Sequence, residues 1–308
     1  MATAIGICAS VGQAPLSHAD IPAALVPQSG YSLIGTPLRK PAFSENTLKQ
    51  LEEDLEIAKA RLRIAPNRED SYIWLGRRHG YLGDYAKAVE VFSAGLERFP
   101  ESYRLLRYRG RHLARSRMFE QAITDYRQAA SLMENVPDTV EPDGMPNALG
   151  LPLGTYKSNI HYYWAQTSFA VQDYETMLTG MEKSMEFVLP HAYNDLLVPT
   201  SLWRYIALMK LGRAQEADAV LAAVPNDLTL IENYAYYDAL LHLKGELEQV
   251  EAKAVNNTML AFAAAMKDQF EGRHQAAEKR LHAIVGGSAL GFWPAEVELV
   301  TTYAYTPR

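Results

Sequence analysis

Small and aromatic residues recur at one fixed spacing in the first half of the chain. The matching positions lie 34 residues apart and are Pro66 and Pro100, Gly76 and Gly110, Tyr85 and Phe119, Ala88 and Ala122, Phe92 and Tyr126, and Gly95 and Ala129. A 34-residue period with these residue types predicts pairs of helices that stack on their neighbours. Because such a stack presents a long concave surface, the pattern favours a protein that works by binding.

A capping helix is predicted before these repeats. It begins at Ser44 or Asn46, either of which can act as N-cap, and it ends before Pro66. The apolar residues that give it helical spacing are Leu48, Leu51, Leu55, Ala58 and Leu62.

Weaker versions of the same pattern occupy the second half of the chain. They predict these further pairs: Asn159–Val171 with Tyr174–Leu189, Leu196–Leu211 with Ala214–Val224, Leu228–Leu243 with a short helix to about Lys253, and Thr258–Phe270 with His274–Val285. Trp293–Tyr305 predicts a terminal capping helix, and no stretch predicts a β-strand.

The two regular units, residues 66–133, resemble the tetratricopeptide repeat family. The first unit matches the family's pattern at Leu75, Gly76, Gly83, Tyr85, Ala88, Phe92 and Pro100. The second matches at Gly110, Phe119, Ala122, Tyr126 and Ala129, but has Arg109 and Arg117 where Leu and Gly are typical. The resemblance implies an all-α, right-handed α-solenoid of stacked antiparallel helix hairpins, with five to six hairpins along the chain.

The chain is expected to have four parts. Residues 1–43 form a signal-like, extended N-terminal tail, and residues 44–133 hold the capping helix and two well-formed repeats. Residues 134–156 are an acidic insertion rich in Pro and Gly, a composition typical of functional or disordered loops. Residues 157–305 hold the degenerate repeats and a C-terminal capping helix.

The first 19 residues carry no Lys, Arg, Asp or Glu, and Ser17-His18-Ala19 has small residues at the −3 and −1 positions of a possible cleavage site. An exported protein, periplasmic or secreted, is therefore favoured over a cytoplasmic one, although the basic n-region of a signal peptide is missing. A disordered tail is the alternative. No run of apolar residues is long enough to predict a membrane-spanning helix.

Charge is unevenly distributed along the chain. The formal net charge is −6, whereas residues 67–133 contain 12 Lys and Arg against 8 Asp and Glu. Within this basic segment, Arg104, Arg107, Arg111 and Arg115 follow one another at steps of three or four residues, so they share a helix face. The acidic total argues against nucleic acid as a partner, and the local excess of arginine points to an anionic one.

In the tetratricopeptide family the first helix of each hairpin lines the concave groove, and the resemblance places Arg77, Arg107 and Arg111 at groove positions. Guanidinium groups bind carboxylate or phosphate through paired hydrogen bonds, so we predict that Arg77, Arg107, Arg111 and Arg115 bind a ligand. Two alternatives stay open. The arginines could be solvated or paired with acidic residues on the surface, or the acidic insertion could fold back onto them as a lid.

Aromatic residues form a second candidate surface on the later repeats. Tyr162, Gln166 and Trp203 are predicted to supply contact area to a ligand. The alternative is that these aromatic residues belong to the core between helices.

Sequence motifs for catalysis, metals and cofactors are absent. The eight histidines form no HExxH spacing, the single cysteine, Cys8, lies in the tail, and no phosphate-binding glycine loop occurs. No cofactor or metal is therefore predicted. Acid–base chemistry is conceivable only near His161 and Tyr163.

The predicted function is a non-enzymatic binding scaffold whose concave groove takes an acidic or anionic peptide, protein segment or other ligand. One alternative is a small-molecule-binding or enzymatic pocket that residues 134–156 close near His161 and Tyr163. Another is a structural protein that associates with itself. The sequence does not determine the oligomeric state.

Overall fold

The computed structural model describes residues 30–287 and 290–305. The helices of this part are α1 (Glu45–Ile64), α2 (Glu69–Tyr81), α3 (Tyr85–Arg98), α4 (Tyr103–Arg115), α5 (Phe119–Leu132), α6 (Tyr156–Ser168), α7 (Tyr174–Met185), α8 (Tyr193–Lys210), α9 (Ala214–Ala222), α10 (Tyr234–Lys244), α11 (Val250–Ala254), α12 (Thr258–Phe270), α13 (His274–Gly287) and α14 (Trp293–Thr301). In this part no strand forms beyond two isolated β-bridges. The predicted all-α solenoid of helix hairpins is confirmed. The signal-like segment and Cys8 lie outside the described residues.

The hairpins α2–α3 and α4–α5 explain the 34-residue spacing. A Cβ atom added to Gly76 would lie 2.4 Å from the ring of Phe92, and one added to Gly110 would lie 2.9 Å from the ring of Tyr126. Both rings are fully buried. Each glycine on the first helix therefore makes room for an aromatic ring on the second, as in the tetratricopeptide repeats that these units resemble.

The capping helix α1 begins where the sequence predicts. Ser44 is the N-cap, and its hydroxyl accepts a hydrogen bond from the Thr47 N–H at 3.2 Å. Leu51 and Ala58 are buried, so this face of α1 covers the first hairpin.

The later helices differ from the prediction most clearly before α10. The sequence predicts a helix from Leu228, whereas α10 begins only at Tyr234. The carboxylate of Asp195 accepts hydrogen bonds from the N–H groups of Ile231 and Glu232 at 2.8 Å and of Asn233 at 3.0 Å. These bonds hold the segment before α10 as a loop, because they occupy backbone donors in a non-helical arrangement.

The C-terminal segment packs against the first hairpins. Arg117 Nε donates to Glu296 Oε2 at 2.9 Å, and both side chains are almost completely buried. Arg117 Nη2 also donates to the Leu290 carbonyl oxygen at 3.2 Å, and the Leu33 N–H donates to Glu296 at 3.0 Å. The solenoid therefore closes on itself around a central space.

Arg117 stands where the family usually has Gly. Its φ is +64°, which is the left-handed conformation that glycine adopts most easily. The departure from the repeat pattern thus keeps the backbone turn and adds the guanidinium that joins the second hairpin to the C-terminal helix α14.

The insertion (residues 134–156) folds back over the central space. It forms a narrow loop in which the Glu141 N–H donates to Gly154 O and the Tyr156 N–H donates to Thr139 O, both at 3.0 Å. Arg77 Nη1 donates to Pro142 O at 2.8 Å, and Arg78 Nη1 donates to Gly144 O at 3.2 Å.

Candidate functional site

The closed solenoid surrounds a cavity of about 810 Å³. Its walls are the inner faces of α2, α4, α6, α8 and α10, and the insertion and residues 290–294 also contribute to its lining. This volume lies within the range of small-molecule sites, which is about 300 to 1,000 Å³.

The four predicted arginines all line this cavity. Arg107, Arg111 and Arg115 occupy successive turns of α4, and Arg77 faces them from α2. At a rise of about 1.5 Å per residue, the three arginines of α4 form a row about 12 Å long. The prediction that they lie on the concave side therefore agrees with the structure, while ligand binding by them stays a prediction.

Arg107 is paired with a carboxylate from the insertion. Its Nε lies 2.8 Å from Glu141 Oε2, with exposed side-chain fractions of 1% and 8%. Burial alone would lower the pKa of Arg107, but Glu141 raises it above its usual range. Asn159 Nδ2 also donates to Glu141 at 3.1 Å. The insertion thus supplies the counter-charge for the first arginine of the row.

Arg77 has only neutral partners. It donates to the Tyr108 hydroxyl at 3.0 Å and to the Tyr81 hydroxyl at 3.1 Å, in addition to Pro142 O. Its guanidinium carbon lies 4.6 Å from the ring centre of Trp74. Among the described residues no carboxylate lies within 4.0 Å of Arg77, so its charge is not neutralised by direct pairing.

Arg111 and Arg115 have no carboxylate partner within the same distance in the described part of the chain. Their closest charge-stabilising contacts are the rings of Tyr163, at 4.9 Å from Arg111, and Tyr85, at 5.2 Å from Arg115. Burial and the neighbouring Arg111 both lower the pKa of Arg115. Two cations one helical turn apart therefore face the cavity without a direct counter-ion.

Tyr163 lies between two of these arginines. Its ring centre is 4.7 Å from the guanidinium carbon of Arg107 and 4.9 Å from that of Arg111. Burial would raise the pKa of this phenol, but Arg111 and Arg107 lower it below its usual value. The hydroxyl is thus a stronger hydrogen-bond donor than an ordinary tyrosine.

The mouth of the cavity has the opposite charge. Asp143 of the insertion and Glu232 of the loop before α10 are exposed there, with Asp195 beneath them. Burial, Asp143 and Asp195 raise the pKa of Glu232. The cavity is therefore cationic in its interior and acidic at its rim.

Tyr162 and Gln166 line the cavity as predicted, but Trp203 does not. The prediction that Trp203 contacts a ligand is wrong, because its ring is fully buried between Phe169 and Phe262, with ring centres 5.7 and 6.0 Å away. Trp203 is part of the core behind the cavity wall.

Arg104 and His161, which the sequence analysis noted beside the predicted binding residues, do not line the cavity. Arg104 lies outside the cavity and pairs with Glu69 at 3.1 Å and with Asp70, and its Nε donates to the Tyr156 hydroxyl at 3.2 Å. Arg104 lies on the first turn of α4, beside the acidic first turn of α2, so it pairs there instead of reaching the cavity. His161 lies outside the cavity lining too and stacks on Phe187, with ring centres 6.0 Å apart.

Sequence reasoning missed Glu141 and Arg117 as functional residues. Glu141 belongs to the acidic insertion, and its composition alone could not single out one carboxylate. Arg117 did carry a signal, because an arginine at a glycine position needs a local reason.

Residues 30–287 and 290–305 contain no group of three or more His, Cys, Asp or Glu placed to hold a metal ion. Within the same residues no helix has both the length and the apolar character needed to cross a membrane.

No protein-family model matches the chain, and no curated protein matches it. Solved structures of similar fold include YrrB, described as a TPR protein with an unusual peptide-binding site, at 14% identity over 74% of this chain and 98% of that chain, with a TM-score of 0.43. A second is Naa15/Naa10 bound to HypK-THB, at 17% identity over 78% of this chain and 35% of that chain, with a TM-score of 0.37. A third is the APC/C hetero-tetramer Cut9–Hcn1, at 12% identity over 84% of this chain and 61% of that chain, with a TM-score of 0.35. This chain therefore spans less than two thirds of the length of the second and third structures. These likenesses concern the fold alone.

Proposed function

We propose that this protein is a binding protein whose central cavity holds an anionic ligand. The observation that carries the proposal is the pair Arg111 and Arg115, which face the cavity and lack a carboxylate partner among the described residues. Most other arginines with buried nitrogens, such as Arg107 and Arg117, are paired with a carboxylate. Arg111 and Arg115 are half-buried. An unpaired charge that is partly removed from water is costly, so a site that keeps two of them is suited to receive a counter-charge from a ligand.

The shape of the site favours a compact ligand over a long extended peptide. The insertion covers one side of the cavity and residues 290–294 line another, so the site is more enclosed than an open groove. Arg77 and Glu141 are also held in place by hydrogen bonds before a ligand arrives. Little ordering of the receptor is then needed on binding.

A second candidate is a protein partner whose acidic end enters the same cavity. Apolar side chains of the insertion are exposed beside the mouth, including Met145 at 59% and Leu149 at 66%. Such residues could contact the remainder of a partner while its acidic end reaches the arginines. Both candidates make the same use of Arg111 and Arg115.

Calorimetry and thermal shift on the full chain test this function. The probes are chloride, acetate, phosphate, sulfate, citrate and a short acidic peptide. We expect at least one multivalent anion to bind, with affinity that falls as salt rises, and we expect Arg111→Met to lose that binding. Arg127→Met is the matched control, because Arg127 is exposed on α5. If no anion binds, or if Arg111→Met binds as the native protein does, the proposal is wrong.

A further inference from the structure

The charges that line the cavity indicate the valence of the ligand. Glu141 neutralises Arg107 and Glu296 neutralises Arg117, whereas Arg77, Arg111 and Arg115 have no such partner in the described part of the chain. Asp143 and Glu232 are exposed at the rim, where water screens them from the interior. A single negative charge would therefore leave the interior cationic, and two or more negative charges would match it.

The positions of these charges favour two charges on one group over two separated charges. Arg111 and Arg115 are one helical turn apart, and Arg111 lowers the pKa of Arg115, so the two guanidiniums share one neighbourhood. The next arginine along α4, Arg107, is already paired with Glu141. On α2, Arg77 already donates from Nε and Nη1 to protein oxygens. A second, distant carboxylate of a ligand would thus meet an arginine with a counter-ion or one whose donors are largely used.

Neutral donors lie close to the same two arginines. The hydroxyl of Tyr126 is buried, lines the cavity and has no hydrogen-bond partner among the described residues, and Arg111 Nε is likewise buried and unpartnered. Tyr163 adds a phenol between Arg107 and Arg111. Several donors that line the same cavity beside Arg111 and Arg115 suit a group with three acceptor oxygens better than a carboxylate with two.

We propose that the cavity recognises a phosphoryl dianion, with Arg111 and Arg115 as its charge partners and Tyr126 and Tyr163 as hydroxyl donors. The inference rests on the proposed function and narrows the ligand to a phosphomonoester or free phosphate. The tyrosine rings of the cavity, among them Tyr162 and Tyr236, then surround the organic part of an ester.

The change of a phosphomonoester from monoanion to dianion near pH 6 gives a direct test. Inorganic phosphate, phenyl phosphate, sulfate and succinate are titrated into the full chain at about pH 5 and about pH 7.5. We expect phenyl phosphate to bind about tenfold more tightly at the higher pH, as the dianion replaces the monoanion, and inorganic phosphate, whose second pKa is higher, to gain at least as much. Sulfate keeps its charge, so it reports any change that comes from the protein.

Titratable and charged groups of the described residues surround the two arginines from several elements. They are Arg77 on α2, Tyr85 on α3, Arg107 and His112 on α4, Arg117 before α5, Tyr126 on α5, Tyr162 and Tyr163 on α6, Asp195 on α8, Tyr236 on α10, and Glu141, Asp143 and Glu232 near the mouth. Burial, and then the neighbouring arginines, lower the pKa of His112 well below its usual value. The pKa of Glu232 is raised, so this carboxyl is the group for which the sulfate control matters most.

The variants and the set of anions test anion binding and phosphoryl selectivity separately. Arg111→Met and Arg115→Met should each lose at least tenfold in phosphate affinity, and Arg127→Met should retain it. If succinate binds as tightly as the phosphates, or if phosphate affinity does not change with pH relative to sulfate, the phosphoryl inference is wrong and anion binding stands. If none of the anions binds, the proposed function and the phosphoryl inference are both wrong.

Circular dichroism of each variant confirms that it is folded. Whichever of phosphate and phenyl phosphate binds more tightly identifies the source of the phosphoryl group.

Discussion

Arginines on α4 have the same chemistry and different surroundings. Arg104 pairs with Glu69 and Asp70 at the edge of the repeat, and Arg107 is buried against Glu141. Within the described residues no carboxylate lies within 4.0 Å of Arg111 or Arg115, and their guanidiniums lie over aromatic rings. The sequence predicted that these four residues share a helix face, and it predicted ligand binding for Arg107, Arg111 and Arg115 among them. It could not show which of them are neutralised, because their partners come from residues far away along the chain.

Removal of one unpaired arginine should stabilise the protein in the absence of ligand. Arg115→Met removes a half-buried charge that Arg111 repels and keeps most of the apolar stem of the side chain. We expect unfolding to cost about 1 kcal/mol more, which raises Tm by about 2 to 4 °C. Differential scanning calorimetry checks this against Arg127→Met, for which no change is expected. A lower Tm for Arg115→Met would mean that the arginine is structural.

The glycines that permit close packing give a second prediction at this scale. A Cβ at Gly76 would approach three atoms of the Phe92 ring to between 2.4 and 2.8 Å, and this ring is fully buried. Gly76→Ala should therefore reduce stability by about 1 to 3 kcal/mol, despite the better helix propensity of alanine. Gly286→Ala is the control, because nothing lies within 4 Å of the added Cβ. Equal urea midpoints for the two variants would contradict the proposed packing.

Among the helices and loops, the sequence predicted the regular hairpins well and the irregular segments poorly. Ser44 fixed the start of α1, because N-capping is a local interaction. The loop before α10 was missed because its backbone N–H groups donate to the carboxylate of Asp195, which is 36 residues from Ile231. Trp203 was misplaced for a related reason. Helical spacing shows that a residue shares a face with others, but the partner helix decides whether that face is core or cavity.

The insertion should depend on one ion pair for its position. Glu141→Gln leaves Arg107 buried without a carboxylate, and loss of one partner of a buried pair costs about 3 to 5 kcal/mol. We expect this cost to open the insertion, so protease cleavage within residues 137–155 becomes faster. Glu134→Gln is the matched control, because Glu134 is exposed in the same segment. Limited proteolysis followed by mass spectrometry measures both, and equal cleavage rates would mean that other contacts hold the insertion.

At the scale of the whole molecule, the closure of the solenoid was beyond sequence reasoning. Arg117 and Glu296 are 179 residues apart, and their contact depends on the small rotation that each hairpin adds to the superhelix. A repeat pattern reports which residues pack between neighbours. It does not report the accumulated curvature that brings two distant ends together.

The closing ion pair should contribute to global stability. Glu296→Gln leaves Arg117 buried and unpaired and weakens the acceptor for the Leu33 N–H, so we expect a loss of about 3 to 5 kcal/mol. Glu278→Gln serves as control, because Glu278 is 43% exposed on α13. Chemical denaturation followed by circular dichroism measures the difference. A native-like midpoint for Glu296→Gln would show that closure does not depend on this pair.

Stability should also fall in mild acid. Burial lowers the pKa of His112 well below its usual value, and it lowers those of His79 and His161. The unfolded chain takes up protons at these histidines below about pH 6.5 while the folded state resists them, so their contribution is complete above that pH and is lost as pH falls. Thermal melts between about pH 5 and about pH 7.5 measure this dependence.

His112→Gln should make the dependence on pH less steep, because one buried titrating group is removed. His274→Gln should not, since His274 is exposed. Equal slopes for the native protein and His112→Gln would show that His112 is not the main source of the acid sensitivity.

The joint between Arg117 and Glu296 has a consequence for how this architecture can change. An open array of helical hairpins tolerates duplication or deletion of a unit, because only the neighbours of that unit must adapt. Here the addition or removal of a unit would move Glu296 away from Arg117. Both charged side chains would then be buried without a partner. The ion pair thus fixes the number of hairpins. A cavity for a ligand of another size would have to arise by exchange of inward-facing side chains or by alteration of the segment 134–156.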